Sequence, residues 1–62
     1  MNNDEDVFLT PDELALRWKK HVDTLAHWRS DGEGPPHVMI GGSVRYAMSE
    51  ILKYEIAQTV ER

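Results

Sequence analysis

What most constrains this chain is how closely helix starts, stops and turn signals follow one another between Leu9 and Tyr54. Thr10-Pro11-Asp12-Glu13 is a complete helix start. Thr10 is the N-cap, Pro11 takes the first helical position, and Glu13 reaches back to close a capping box. Leu9, just before the cap, can staple onto Leu14. The first helix is predicted to run to about Lys19, with Leu14 and Trp18 on its inner face and Ala15 beside them. Lys19-Lys20-His21 then holds a turn that neither Gly nor Pro marks. A second helix is predicted from about Val22 to Ser30. Its inward stripe is Val22, Leu25 and Trp28; Asp23, Thr24, His27 and Ser30 point outward. Asp31-Gly32 ends it, Gly32 being suited to the left-handed closing position. Glu33-Gly34-Pro35-Pro36 cannot continue a helix and makes a stiff extended link.

Two strand-like segments follow, His37–Ile40 and Val44–Tyr46, around Gly41-Gly42-Ser43. A two-residue Gly-Gly turn sets Val38 opposite Arg45, mixing apolar and charged side chains on one face. A three-residue loop sets Ile40 opposite Val44 and Val38 opposite Tyr46, with Met39 and Arg45 outside. Cross-strand partners share a face, so the three-residue loop is the expectation. A last helix is predicted from about Met48 to Thr59, with Met48, Leu52, Ile56 and Val60 as its apolar stripe and Ile51 and Tyr54 widening it. The expected fold is mainly α: three helices and a two-stranded β-hairpin wing, a small winged helix-turn-helix. Residues 1–7 (MNNDEDV) read as a disordered acidic leader and residues 8–62 as one domain.

Size and composition exclude several classes of function. A chain of 62 residues is one domain that buries only about 60% of its unfolded surface, so no interior can be spared for a catalytic pocket. There is no Cys, hence no disulfide and no thiolate zinc site. The histidines at 21, 27 and 37 form no ligand pair one helical turn apart. No serine has a nucleophile-elbow context, and there is no P-loop or GxGxxG. Neither an enzyme, a cofactor nor a metal is expected. No apolar run approaches the roughly 18 residues of a membrane span, and no signal peptide is visible; a cytoplasmic location is the expectation.

The formal net charge is −4, yet much of the excess acid lies in the leader and the last helix. Between Leu9 and Tyr54 the acids Asp12, Glu13, Asp23, Asp31, Glu33 and Glu50 balance the bases Arg17, Lys19, Lys20, Arg29, Arg45 and Lys53. Arg17, Lys19 and Lys20 cluster and make a modest local positive patch. A second helix held across a first can enter a major groove about 12 Å wide. His21, Thr24 and His27 would then lie near base edges, with Arg17, Lys19, Lys20 and Arg29 on phosphates. Glycines in the wing let backbone approach the sugar-phosphate chain, with Ser43 and Arg45 beside it. An ordinary αα-hairpin with a solvated polar face shares the helical pattern; the hairpin after a Gly-Pro-Pro link is what separates the two. Trp18 and Trp28, at helical spacing, are expected in the core.

Taken in order, LTPDELALRW, TLAHWRSDG, GPPHVMIGG and SVRYAMSEILKY resemble the MerR-like helix-turn-helix group that includes phage and plasmid excisionases and AlpA-type regulators. The resemblance implies a winged helix that binds double-stranded DNA architecturally. Its role would be to assist a site-specific recombinase (an integrase) in excision or to regulate a promoter, often cooperatively on repeated sites and with bending. Small terminase-subunit heads use the same fold for genome packaging. The chain departs from the group at His21, where Ser or Thr usually caps, and at Lys20, where a small apolar residue is usual. It also departs at Asp23, Ala26, His27, Met39 and Ser43, where basic residues are frequent. The thinner contact inventory implies cooperative binding or a protein partner. The competing expectation is a protein-interaction module that self-associates or docks through the apolar last helix.

Overall fold

Thr10 starts the first helix as its sequence dictates. Its Oγ1 accepts from the Glu13 N–H at 3.1 Å, and its own N–H donates to Glu13 Oε1 at 2.9 Å. Both halves of the capping box are therefore made. The structure, a computed structural model, describes residues 7–59. The elements run β1 (Phe8–Leu9), α1 (Pro11–Trp18), α2 (Val22–Asp31), β2 (Val38–Ile40), β3 (Ser43–Ala47) and α3 (Met48–Ala57). The expected class is the observed one, three helices and a small antiparallel sheet in a winged helix-turn-helix arrangement.

The turn between α1 and α2 is made without glycine. Lys19 takes the left-handed conformation itself (φ 57°, ψ 46°). Its N–H donates to Leu16 O at 3.2 Å and the Lys20 N–H donates to Ala15 O at 2.8 Å, which satisfies the last carbonyls of α1. At the far end of α2, Gly32 (φ 77°) closes the helix as expected, with the Glu33 N–H donating to Trp28 O at 2.7 Å. Gly34 also has positive φ (81°) and is required for a second reason as well. A Cβ there would come within 2.8 Å of the Trp28 ring, so the link lies flat on the indole only because the side chain is absent.

The hairpin corrects the expected register. Val38 faces Arg45, Met39 faces Val44 and Ile40 faces Ser43, so the turn is the two-residue Gly41-Gly42. Both glycines have positive φ (59° and 84°), the mirror-image turn whose twist matches that of the strands. The facing argument failed because β2 has no core to answer to. Val38, Met39 and Ile40 are 42%, 60% and 50% exposed, so local turn geometry decides the pairing. Val38 and Arg45 therefore share the outer face, and Met39 lies on the face of Val44 and Tyr46.

The wing is also wider than two strands. β1 pairs antiparallel with β3 (Phe8 with Ala47, Leu9 with Tyr46), giving the order β1-β3-β2. The Met48 N–H donates to Val7 O at 2.7 Å, so the last residue of the expected leader is tied to the start of α3; the rest of the leader, 1–6, lies outside the described residues. Two residues are too short a run to show alternation in the sequence.

The core is Leu9, Leu14, Ala15, Leu25, Tyr46 and Ile51, with Trp18, Val22, Trp28, Val44 and Met48 packed against it. Here the expected α3 stripe needs correcting. Ile51 is the residue fully buried, while Leu52 and Ile56 are 45% and 73% exposed; Val60 lies outside the described residues. The inner face of α3 thus runs through Met48, Ile51, Tyr54 and Glu55, a register rotated by about one residue from the i, i+4 reading.

Candidate nucleic-acid interface

Helix α2 carries an exposed polar strip. His21, at its N-cap with extended backbone (φ −76°, ψ 142°), Asp23, His27 and Ser30 are exposed, and Thr24 is half-buried among them. The His21 side chain makes no capping bond, and its carbonyl accepts from the Thr24 N–H at 3.0 Å. Inward, Leu25 is fully buried and Trp28 packs on the core, so the polar strip is held on a fixed backbone. Asp23 in the first turn suits the positive end of the helix dipole.

The cations divide into held and unheld. Arg17 donates from Nε and Nη2 to the two Glu55 carboxylate oxygens at 2.7 and 2.9 Å, a bidentate pair joining α1 to α3. The Trp18 indole donates to the same carboxylate at 2.6 Å. Those two partners hold the Glu55 carboxyl well below its usual range, at about 2, and the same pair raises the Arg17 pKa. Arg17, expected on phosphate, is thus engaged within the fold. Lys53 sits 3.7 Å from Glu50. Lys19, Lys20, Arg29 and Arg45 pair with no carboxylate among the described residues. Lys19 and Lys20 are exposed at the helix-turn-helix corner, and Lys20 also borders an aromatic groove lined by Trp18, Trp28, Tyr54, Glu55 and Gln58. In the wing, Ser43 is exposed next to the glycine turn; Arg45 is half-buried, its Nη1 donating to Val44 O at 2.7 Å. Arg29 donates from Nη1 to the Tyr46 hydroxyl at 2.7 Å, tying the end of α2 to β3.

Sequence reasoning missed Glu55 and Tyr46 as polar partners. Glu55 lies 38 residues from Arg17, and such pairs leave no local pattern. Strand alternation is enough to turn Tyr46 inward; that its hydroxyl meets Arg29 depends on how α2 sits against β3. Among the described residues no group of three His, Asp or Glu side chains converges as a metal site, and no helix is long and apolar enough to cross a membrane.

No curated protein and no solved structure matches the chain. The profile described as "Helix-turn-helix domain" matches residues 8–58, from β1 through α3. That span covers both helices of the corner, the wing and the last helix, so the chain belongs to the helix-turn-helix domain family, a family of small DNA-binding domains.

Proposed function

We propose that the protein binds a specific duplex site as an architectural factor of the excisionase or small-regulator kind, with α2 in the major groove and the hairpin on the adjacent backbone. The observation that carries this reading is the α2 strip. Its exposed polar side chains stand on a helix fixed by Leu25 and Trp28, with cations that meet no carboxylate among the described residues at the corner before it and in the wing after it. In this reading His21, Thr24 and His27 approach base edges. Lys19, Lys20 and Arg29 take phosphates, and Ser43 and Arg45 meet the neighbouring strand. Arg17 joins them only by exchanging Glu55 for phosphate, so its contribution is the smallest. A recombinase partner and cooperative self-association on DNA belong to the same proposal, because so few cations give a single copy limited grip.

Three to five phosphate contacts imply a slope of log K against log salt of roughly −3 to −4.5. Footprinting on the DNA around the chain's own coding region, followed by a salt titration on the protected duplex, tests both parts. A protected site with that slope supports the reading; a flat salt response rejects it.

A further inference from the structure

Arg29 differs from Lys19 and Lys20 in being held, and from Arg45, which bonds only its neighbour's carbonyl, in being held by a side chain of another element. It is half-buried, and the Tyr46 hydroxyl it donates to belongs to a side chain only 1% exposed. A guanidinium has five N–H donors, and bonding to a neutral phenol leaves its charge uncompensated. Position in the last turn of α2 explains why a cation is welcome there. It does not explain the remaining donors, because Arg29 O and Trp28 O already accept from the Gly32 and Glu33 N–H groups at 3.3 and 2.7 Å.

The same Tyr46 ring carries His37 against it, centroids 6.2 Å apart. Arg29, His37 and the Gly32–Pro36 link line one open cleft of about 400 Å³, beside the end of the helix that the reading above sets in the groove. Arginine's planar fork matches phosphate oxygens, and an anion in such a cleft meets a charge already fixed in place.

We propose that this cleft seats one phosphodiester of the bound duplex. Arg29 is its charged grip, His37 its second donor, and Tyr46 the positioning residue that aims Arg29. The inference rests on the DNA-binding reading and adds to it a contact, His37, that lies on neither helix. Glu33 lines the same cleft, and its exposed carboxylate opposes a phosphate there, which gives the proposal a sign to test.

The experiment measures affinity of the full chain for its footprinted duplex, and for an unrelated duplex, across a salt series, with thermal melting of each variant beside it. Arg29→Met is expected to weaken both duplexes about 3- to 10-fold and to reduce the salt slope by about 0.9, one phosphate's share. Arg29→Lys keeps the slope but loses affinity, because the fork is gone. Tyr46→Phe changes no charge yet lowers affinity in the same direction, and so does His37→Gln. Glu33→Gln tightens binding by more than Glu50→Gln, the same charge change on α3. If wild type binds with a steep slope but Arg29→Met keeps that slope, or Glu33→Gln gains no more than Glu50→Gln, the cleft holds no phosphate and the bond to Tyr46 is only a structural tie. Loss of site preference at unchanged slope makes Arg29 a base reader and equally overturns the proposal. A wild-type chain that binds no duplex overturns the DNA reading itself.

Discussion

The Glu55 carboxylate takes three hydrogen bonds from α1, two from Arg17 and one from the Trp18 indole. Arg17 first and Trp18 second lower its pKa from 4.5 to about 2, against a smaller opposing push from desolvation. A carboxyl whose folded pKa lies below its unfolded value contributes stability that is fully present above the unfolded value and is lost as pH falls through the folded one. The window is therefore about pH 4.5 down to about 2. Urea unfolding followed by tryptophan fluorescence should show wild type losing stability faster than Glu55→Gln across that window; parallel curves would mean the three-bond cluster is not populated. Lys19 is the other residue with a sharp expectation. A left-handed backbone costs a side-chain-bearing residue about 1–2 kcal/mol, and glycine gives back part of the gain through its freer unfolded state. Lys19→Gly should stabilise the fold by about 0.5–1 kcal/mol in the same urea experiment, while weakening DNA binding if the lysine touches phosphate.

At the scale of elements, what the sequence shows depends on how local the deciding force is. The α1 cap, the Gly32 stop and the inward stripe of α2 rest on neighbours within one turn of helix, and all three were legible. The hairpin register was not, and the α3 face only in part, because each looks locally like an answer to a core that packs elsewhere. On α3 the i, i+4 series Met48, Leu52, Ile56 is as regular as the true inner face, and only β3 and α1 packing against the helix favours Ile51 and Tyr54, expected at the edge of the stripe, over Leu52 and Ile56. β1 was invisible because its partner is distant in sequence, Leu9 pairing with Tyr46 37 residues further on, and the register is set by tertiary contact alone. Among the proposed site residues, exposure was readable from helix phase for His21 and His27, whereas the capture of Arg17 by Glu55 and of Arg29 by Tyr46 required the packed molecule. Truncation separates the two α3 faces directly. Ile51→Ala should cost about 2–5 kcal/mol, as for a fully buried aliphatic side chain. Ile56→Ala, at 73% exposure, should stay within about 0.5 kcal/mol. Chemical denaturation of both variants checks this, and equal losses would restore the i, i+4 face as the buried one.

The whole molecule carries a net charge of −4, which opposes approach to a polyanion, and among the described residues the cations without a carboxylate partner sit at the helix corner, the end of α2 and the wing. Such a body has a local grip rather than a general attraction for nucleic acid, since exposed acids elsewhere penalise any orientation that turns those cations away. A single copy then has few contacts over which to spread its affinity, and the proposed architectural role calls for neighbours on the same duplex. Copies in contact must lie on one side of the helix, so cooperativity has to follow the duplex period of about 10–10.5 bp. On a duplex with two binding sites, inserting about 5 bp between them should turn the second copy to the opposite side and abolish cooperativity. Inserting a full turn should restore much of it, provided that the contact tolerates the added rise. Quantitative footprinting of the paired sites at rising protein concentration reads this directly: steep, joint filling for the phased spacing and independent filling for the half-turn. Independent filling at every spacing would show that each copy binds alone, and the thin set of cations would then have to supply all of the affinity.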